Sequence, residues 1–93
     1  MKKFLIERNI PGAGKMSMSE IRTVARKSVN VLADLGVQIQ WVESYIAADK
    51  MFCIYLASDE DLIGEHSRLT GIPVSTITEI TKKLDPTVAF LAV

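Results

Sequence analysis

The sequence predicts an α+β domain of the ferredoxin-like type, with the element order β-α-β-β-α-β. Two β-rich runs, at residues 38–46 and 51–57, flank a short polar break and indicate an antiparallel hairpin. A stretch with helical spacing lies on each side of this hairpin, and a further strand-like run lies towards each end of the chain. We therefore expect a four-stranded antiparallel sheet with both helices on one face.

The first strand and the first helix have the clearest boundaries. The strand is predicted over residues 3–10, and Pro11 with the glycines after it ends the strand. The helix is predicted to begin after Ser17, because Glu20 completes a capping box with it. Its inward positions recur at three- and four-residue spacing and are Ile21, Val24, Ala25, Ser28, Val31, Leu32 and Leu35. Gly36 is suited to end this helix.

The register of the hairpin decides which side chains can meet. A two-residue turn at residues 48–49 pairs Glu43 with Ile54. One face of the hairpin then carries Trp41, Glu43, Tyr45, Phe52, Ile54 and Leu56, and the other carries Cys53 and Tyr55. Glu43 and Cys53 are therefore predicted to lie on opposite faces of the sheet.

The second half of the chain contains one clear helix and one ambiguous segment. The helix is predicted to begin at Ser58 and Asp59, with acidic residues in its first turn, and to end at Gly71. Residues 74–84 favour a strand by their threonine and isoleucine content, although their apolar spacing also fits a helix. We expect a strand, followed by an apolar tail.

Length and composition limit the classes of protein that fit. We expect one domain over residues 1–93, in which residues 86–93 form an apolar tail and a possible dimer contact. The chain has 11 basic and 11 acidic side chains and a formal net charge of zero, so we expect neither a nucleic-acid nor a membrane partner. Hydrophobic residues make up 48% of this small chain, which favours a homodimer. A single cysteine favours a reducing, cytoplasmic location.

Few side chains in this sequence can bind a metal or act as catalysts. His66 is the only histidine and faces inward, either as a core residue bonded to a strand carbonyl or to Tyr55, or as a metal ligand assisted by Cys53 and carboxylates. Glu7, Trp41 and Tyr45, together with Glu43, are candidates for a pocket on the open sheet face. One histidine and one cysteine at no diagnostic spacing do not predict an enzyme.

A helix-turn-helix is an alternative interpretation of residues 69–80. Gly71 would form the turn, and a helix over residues 74–84 would enter a DNA groove. Glu79 is unsuited to that role because it would face phosphates. The glycine-rich connection at residues 12–15 lacks the complete phosphate-loop pattern and is predicted to be a plain connection.

Several short motifs resemble those of a known family. They are Phe52-Cys53, Ala57-Ser58, His66, Gly71, Pro73 and Glu79-Ile80, together with the PGAGK and WVESY stretches. Over residues 3–85 the chain resembles a family of small bacterial ferredoxin-like domains of unknown function, which includes nickel-binding, nickel-responsive dimeric proteins.

The resemblance implies a site for nickel or another divalent transition metal. The matching ligand positions are His66, Cys53, Glu43 and Glu79, whereas Arg8, Asn9 and Ile72 stand where nickel-binding members have histidines. The expected function is therefore that of a cytoplasmic protein that binds a small ligand or a transition metal. A small dimeric enzyme with a pocket on the open sheet face, and a DNA-binding helix-turn-helix module, are the alternatives.

Overall fold

Four strands and two helices follow one another in the predicted order. The computed structural model describes residues 1–92. Its elements are β1 (Lys2–Asn9), α1 (Met18–Leu35), β2 (Ile39–Ile46), β3 (Lys50–Ala57), α2 (Glu60–Thr70) and β4 (Thr76–Ile80), with short 3-10 helices at Ala13–Lys15 and Pro86–Phe90. The strands form one sheet in the order β2-β3-β1-β4, and all neighbouring strands are antiparallel. This topology confirms the ferredoxin-like prediction.

The sheet has one face covered by helices and one open face. Side chains alternate along the central strands β1 and β3, so those on the covered face are mostly buried and those on the open face are mostly half-buried. The helix-covered face carries Phe4, Ile6 and Arg8 of β1 with Met51, Cys53, Tyr55 and Ala57 of β3, whereas the open face carries Lys3, Leu5, Glu7, Phe52, Ile54 and Leu56. Ile63 of α2 and Leu32 of α1 both pack on the helix-covered face, which therefore forms the core.

The predicted capping of α1 is present in the structure. The Ser17 side chain accepts a hydrogen bond from the Glu20 backbone N–H, and the Glu20 carboxylate accepts one from the Ser17 N–H. Gly36 ends the helix with φ at +89°, a conformation that side-chain-bearing residues rarely adopt, and its N–H donates to Leu32 O. Local sequence signals thus place both ends of this helix.

The predicted register of the hairpin holds for one half of β2 and fails for the other. Ala47 N donates to Lys50 O over a two-residue turn, and Glu43 pairs with Ile54 as predicted. A bulge between Trp41 and Glu43 then shifts the register by one residue. The predicted position of Trp41 on the open face is therefore wrong, because the extra residue turns the indole ring to the helix-covered face.

The helix-turn-helix interpretation is also wrong. Residues 76–80 form β4, which pairs with β1 so that Ile77 lies opposite Ile6. Pairing with a central strand satisfies the backbone of this segment, and no recognition helix is present at residues 74–84. Ile77 packs against the core on the helix-covered face of this strand.

The connection after β1 packs against the hairpin turn. Gly12 N donates to Asp49 Oδ1 at 2.8 Å, and Gly14 N donates to Ala48 O at 3.0 Å. Both amides therefore serve the protein's own structure, in agreement with a plain connection. Within residues 1–92, neither helix has the length and apolar character needed to cross a membrane.

The apolar tail remains on the surface. Phe90 is 87% exposed, and Leu84 and Leu91 are also exposed. The predicted tail, residues 86–93, is described as far as residue 92, and Val93 lies outside the described residues. Burial of these side chains would require another surface.

Candidate functional site

A buried polar cluster lies between the sheet and the two helices. We use this name for Arg8, Ser28, Cys53, Tyr55, His66 and Ser67. The cluster takes side chains from β1, β3, α1 and α2, and all of them are buried. Burying a polar group costs free energy unless the group forms a hydrogen bond. The hydrogen bonds within the cluster therefore show which of its atoms are occupied and which are left to bind a ligand.

Arg8 is the charged member of the cluster, and its side chain is only 1% exposed. Its Nε donates to Cys53 Sγ at 3.4 Å, and its Nη1 donates to Ser67 Oγ at 3.2 Å. Nη1 also lies 3.3 Å from Ile72 O and 3.2 Å from Pro73 O. Nη2 is buried without a hydrogen-bond partner. Arg8 therefore joins β1 to β3, to α2 and to the loop before β4.

His66 is completely buried and bonds to α1 rather than to the sheet. Its Nε2 lies 2.9 Å from Ser28 Oγ, and its ring meets the Tyr55 ring edge-on with centroids 5.3 Å apart. Its Nδ1 has no hydrogen-bond partner. The predicted partners, a strand carbonyl or the Tyr55 hydroxyl, are thus replaced by Ser28.

Both aromatic members of the cluster are uncharged at neutral pH. Burial, and then the positive charge of Arg8, lower the pKa of His66 from 6.5 to about 4. Burial also raises the pKa of Tyr55 above its usual value, although Ser28 and Arg8 oppose this effect. The guanidinium of Arg8 supplies the positive charge of the cluster.

The predicted metal ligands do not meet at one place. Cys53 and His66 belong to the buried polar cluster, whereas Glu43 lies on the open face. Glu79 lies on the edge strand β4, where it is exposed and 4.0 Å from Lys2 Nζ. Within residues 1–92 no three side chains from His, Cys, Asp and Glu form a group that could hold a metal ion.

The predicted pocket residues are likewise divided. Glu43 and Tyr45 are neighbours on the open face, and hydrogen bonding to Glu43 raises the pKa of Tyr45. Glu7 also lies on the open face, where it accepts a hydrogen bond from Thr76 Oγ1 at 2.9 Å. Trp41 lies on the other face, and its indole N–H donates to Ser44 Oγ. Trp41 therefore cannot line a pocket with the other three.

A groove lies on the open face beside β4. Its inner part, of about 190 Å³, is lined by Lys3, Glu43, Ile54, Ile80 and Lys83. A neighbouring part of about 480 Å³ shares Lys3, Ile80 and Lys83 and adds Met1, Lys2, Leu56, Glu79, Thr81 and Lys82. Lys2 and Glu79 belong to the opposite face by strand alternation, so this part extends around the edge of the sheet. The lining of the two parts together contains four lysines and two glutamates, so the groove is basic although the whole chain is neutral. We call it the basic groove.

The fold and the buried polar cluster define the class of protein, a ferredoxin-like α+β domain with a polar site enclosed between its sheet and helices. The chain belongs to the family described as nickel responsive protein SCO4226-like, whose model matches residues 4–80. This match confirms the resemblance inferred from the motifs.

One solved structure shows the same fold. SCO4226 from Streptomyces coelicolor A3(2) superposes with a TM-score of 0.73 at 10% sequence identity, and the match covers 88% of this chain and 99% of that chain. At this identity the likeness shows the fold alone. No curated protein matches the sequence significantly.

The residues of the buried polar cluster do not fit a divalent metal site. His66 Nδ1 is an orphaned nitrogen of the kind that binds transition metals, and Cys53 lies in the same layer. However, Arg8 bonds directly to Cys53 and places a fixed positive charge beside His66. A second cation would be repelled there, because charges interact strongly in a buried site.

Sequence reasoning missed the roles of Arg8 and Ser28, although the sequence contains a signal for each. Arg8 follows Phe4 and Ile6 at alternate positions of β1, so it shares their buried face. Ser28 occupies an inward position of α1 among apolar side chains. A polar residue in such a row indicates a buried partner.

Proposed function

We propose that this protein is a homodimer that binds a small anionic ligand in the basic groove, and that it acts by binding rather than by catalysis. The observation that carries the proposal is that four lysines line the basic groove in a chain of zero net charge. The family description, nickel responsive, supports a role connected with nickel. The single cysteine of the chain, Cys53, is free and buried, which supports a cytoplasmic location.

The groove provides two kinds of contact. Lys3 and Lys83 border its inner part and can bind a carboxylate or phosphate group, and Lys83 Nζ already lies 3.3 Å from Asp85 Oδ2, which a ligand would have to replace. Lys3 and Lys82 have no acidic partner within 4.0 Å among residues 1–92, so their ammonium groups are available. Ile54 and Ile80 form the apolar wall, which suits a ligand with a small hydrocarbon part.

A second copy of the chain is the proposed cover for the open face. Leu5, Phe52, Ile54 and Leu56 form an apolar surface that no helix covers. Phe90 in the exposed tail adds to the apolar area available for contact. Two such faces related by a two-fold axis would bury both apolar surfaces and enclose the grooves.

Native mass spectrometry of the protein purified from cells tests the proposal. We expect a dimer that retains a small organic anion, and we expect Lys3→Glu with Lys83→Glu to lose the ligand while still forming the dimer. Lys27→Glu, on the exposed surface of α1, is the matched charge control. Ile54→Lys is expected to give monomers, whereas Val29→Lys, at an exposed apolar position of α1, is expected to leave the dimer intact.

The outcomes separate the candidate functions. A bound nickel ion with no organic ligand would replace this proposal with the metal-binding function that the family resemblance implies. A monomer without any retained ligand would contradict both the dimer and the groove as a binding site.

A further inference from the structure

The buried polar cluster already contains a cation. We infer that the guanidinium of Arg8 fills the cation position of this cluster, and that Cys53 and His66 are therefore closed to nickel and other divalent metals. The inference concerns the helix-covered face and is independent of the basic groove, which lies on the open face.

The atoms around Arg8 are those that surround a bound cation. They are Cys53 Sγ, Ser67 Oγ, Ile72 O and Pro73 O, at 3.2 to 3.4 Å from the guanidinium nitrogens. None of them belongs to a carboxylate. The two carbonyls follow the C-terminal end of α2, where the helix dipole favours positive charge. The protein therefore stabilises one buried positive charge with neutral acceptors, and Arg8 supplies that charge.

This charge is permanent. A guanidinium does not lose its proton in proteins, and the Arg8 side chain is only 1% exposed, so water screens it little. The same charge acts on His66, whose Nδ1 has no hydrogen-bond partner. The imidazole thus offers a nitrogen to a metal, but the neighbouring guanidinium opposes any further cation.

The hydrogen bond from Arg8 blocks the sulfur atom of Cys53, the second potential metal ligand. Arg8 Nε donates to Sγ, so a metal ion that bound the sulfur atom would have to displace the guanidinium. Displacement would leave Ser67 Oγ and two carbonyls without their donor. Nickel binding at this site would therefore break an arrangement that joins four segments of the chain, β1, β3, α2 and the loop before β4.

Nickel titration of the purified protein tests the inference. Two signals report on the site: thiolate-to-nickel charge-transfer absorption for Cys53 and the imidazole NMR resonances for His66. We expect neither signal to change in the wild-type protein up to millimolar nickel. Arg8→His removes the permanent charge and adds a nitrogen, so we expect it to bind nickel about tenfold more tightly or better, with both signals perturbed.

Two further variants complete the experiment. Arg8→Lys keeps a cation at the same position, and we expect it to remain as insensitive to nickel as the wild type. If circular dichroism shows that Arg8→His does not fold, Arg8→Met removes the charge at a similar volume and takes its place in the titration. Perturbation of the Cys53 or His66 signal by nickel in the wild-type protein would overturn the inference. A folded, uncharged variant that binds nickel no more tightly than the wild type would also overturn it.

Discussion

His66 Nε2 in α2 lies 2.9 Å from Ser28 Oγ in α1, and this buried polar contact joins the two helices. The His66 ring also meets Tyr55 of β3 edge-on, so one imidazole contacts both helices and the sheet. Its surroundings suit the neutral form, because burial and Arg8 both disfavour the imidazolium. The protonation of this ring is therefore linked to the stability of the fold.

The free energy of unfolding should decrease as the pH falls from about 6.5 to about 4. The folded protein holds the pKa of His66 near 4, whereas the unfolded chain has the ordinary value of 6.5. The unfolded state therefore binds a proton first, and stability that is complete above pH 6.5 is lost as the pH decreases towards 4. The loss should reach about 3 kcal/mol, measured by urea denaturation across this range.

His66→Gln provides the control for this pH dependence. Glutamine cannot titrate, so the variant should lose most of the slope even if its stability at neutral pH is lower. Carboxylates such as Asp85, whose pKa is lowered by Thr87 and Lys83, keep their own titration in both proteins. An unchanged slope in His66→Gln would show that other groups cause the effect.

Ser28→Ala should destabilise the protein by about 1–3 kcal/mol, because it leaves both ring nitrogens of a fully buried histidine without a partner. Ser19→Ala is the matched control, since Ser19 is an exposed serine of the same helix. The control should change stability by no more than about 0.5 kcal/mol. Equal effects of the two substitutions in urea denaturation would show that the Ser28 hydroxyl contributes nothing specific.

Ser17→Ala should cost about 1 kcal/mol by removing the capping box of α1. The substitution leaves the Glu20 N–H without its side-chain acceptor, whereas the backbone N–H of residue 17 can still donate to the Glu20 carboxylate. Hydrogen exchange should increase in the first turn of α1 and remain unchanged in β3. Uniform loss of protection across the protein would contradict a local capping effect.

The order of elements was predictable because its signals are local. The capping box at Ser17 and Glu20, and Gly36 at the other end, place α1 without reference to the rest of the chain. The two-residue turn at residues 48–49 likewise places Glu43 opposite Ile54. Each signal depends on neighbouring residues only, and the ferredoxin-like plan follows from their order.

The composition of the site was less predictable because it depends on contacts between distant segments. The face on which Trp41 lies depends on a bulge that only the packing of β2 against β3 determines. The burial of Arg8 contradicts the general preference of arginine for the surface. Its four acceptors come from β3, α2 and the loop before β4, which no local pattern connects.

Two glycine substitutions should have effects of opposite sign. A Cβ atom at Gly14 would lie 2.9 Å from Ala47 O and 3.0 Å from Ala48 Cα, so Gly14→Ala must push the connection after β1 away from the hairpin turn. We expect a loss of about 1–3 kcal/mol in the free energy of unfolding.

A Cβ atom at Gly64 in α2 would meet nothing within 4 Å, so Gly64→Ala should stabilise the protein by about 0.5–1 kcal/mol, because alanine has a better helix propensity than glycine. Urea denaturation of both variants measures the two changes, and a neutral Gly14→Ala would show that the connection does not need its close contact with the turn.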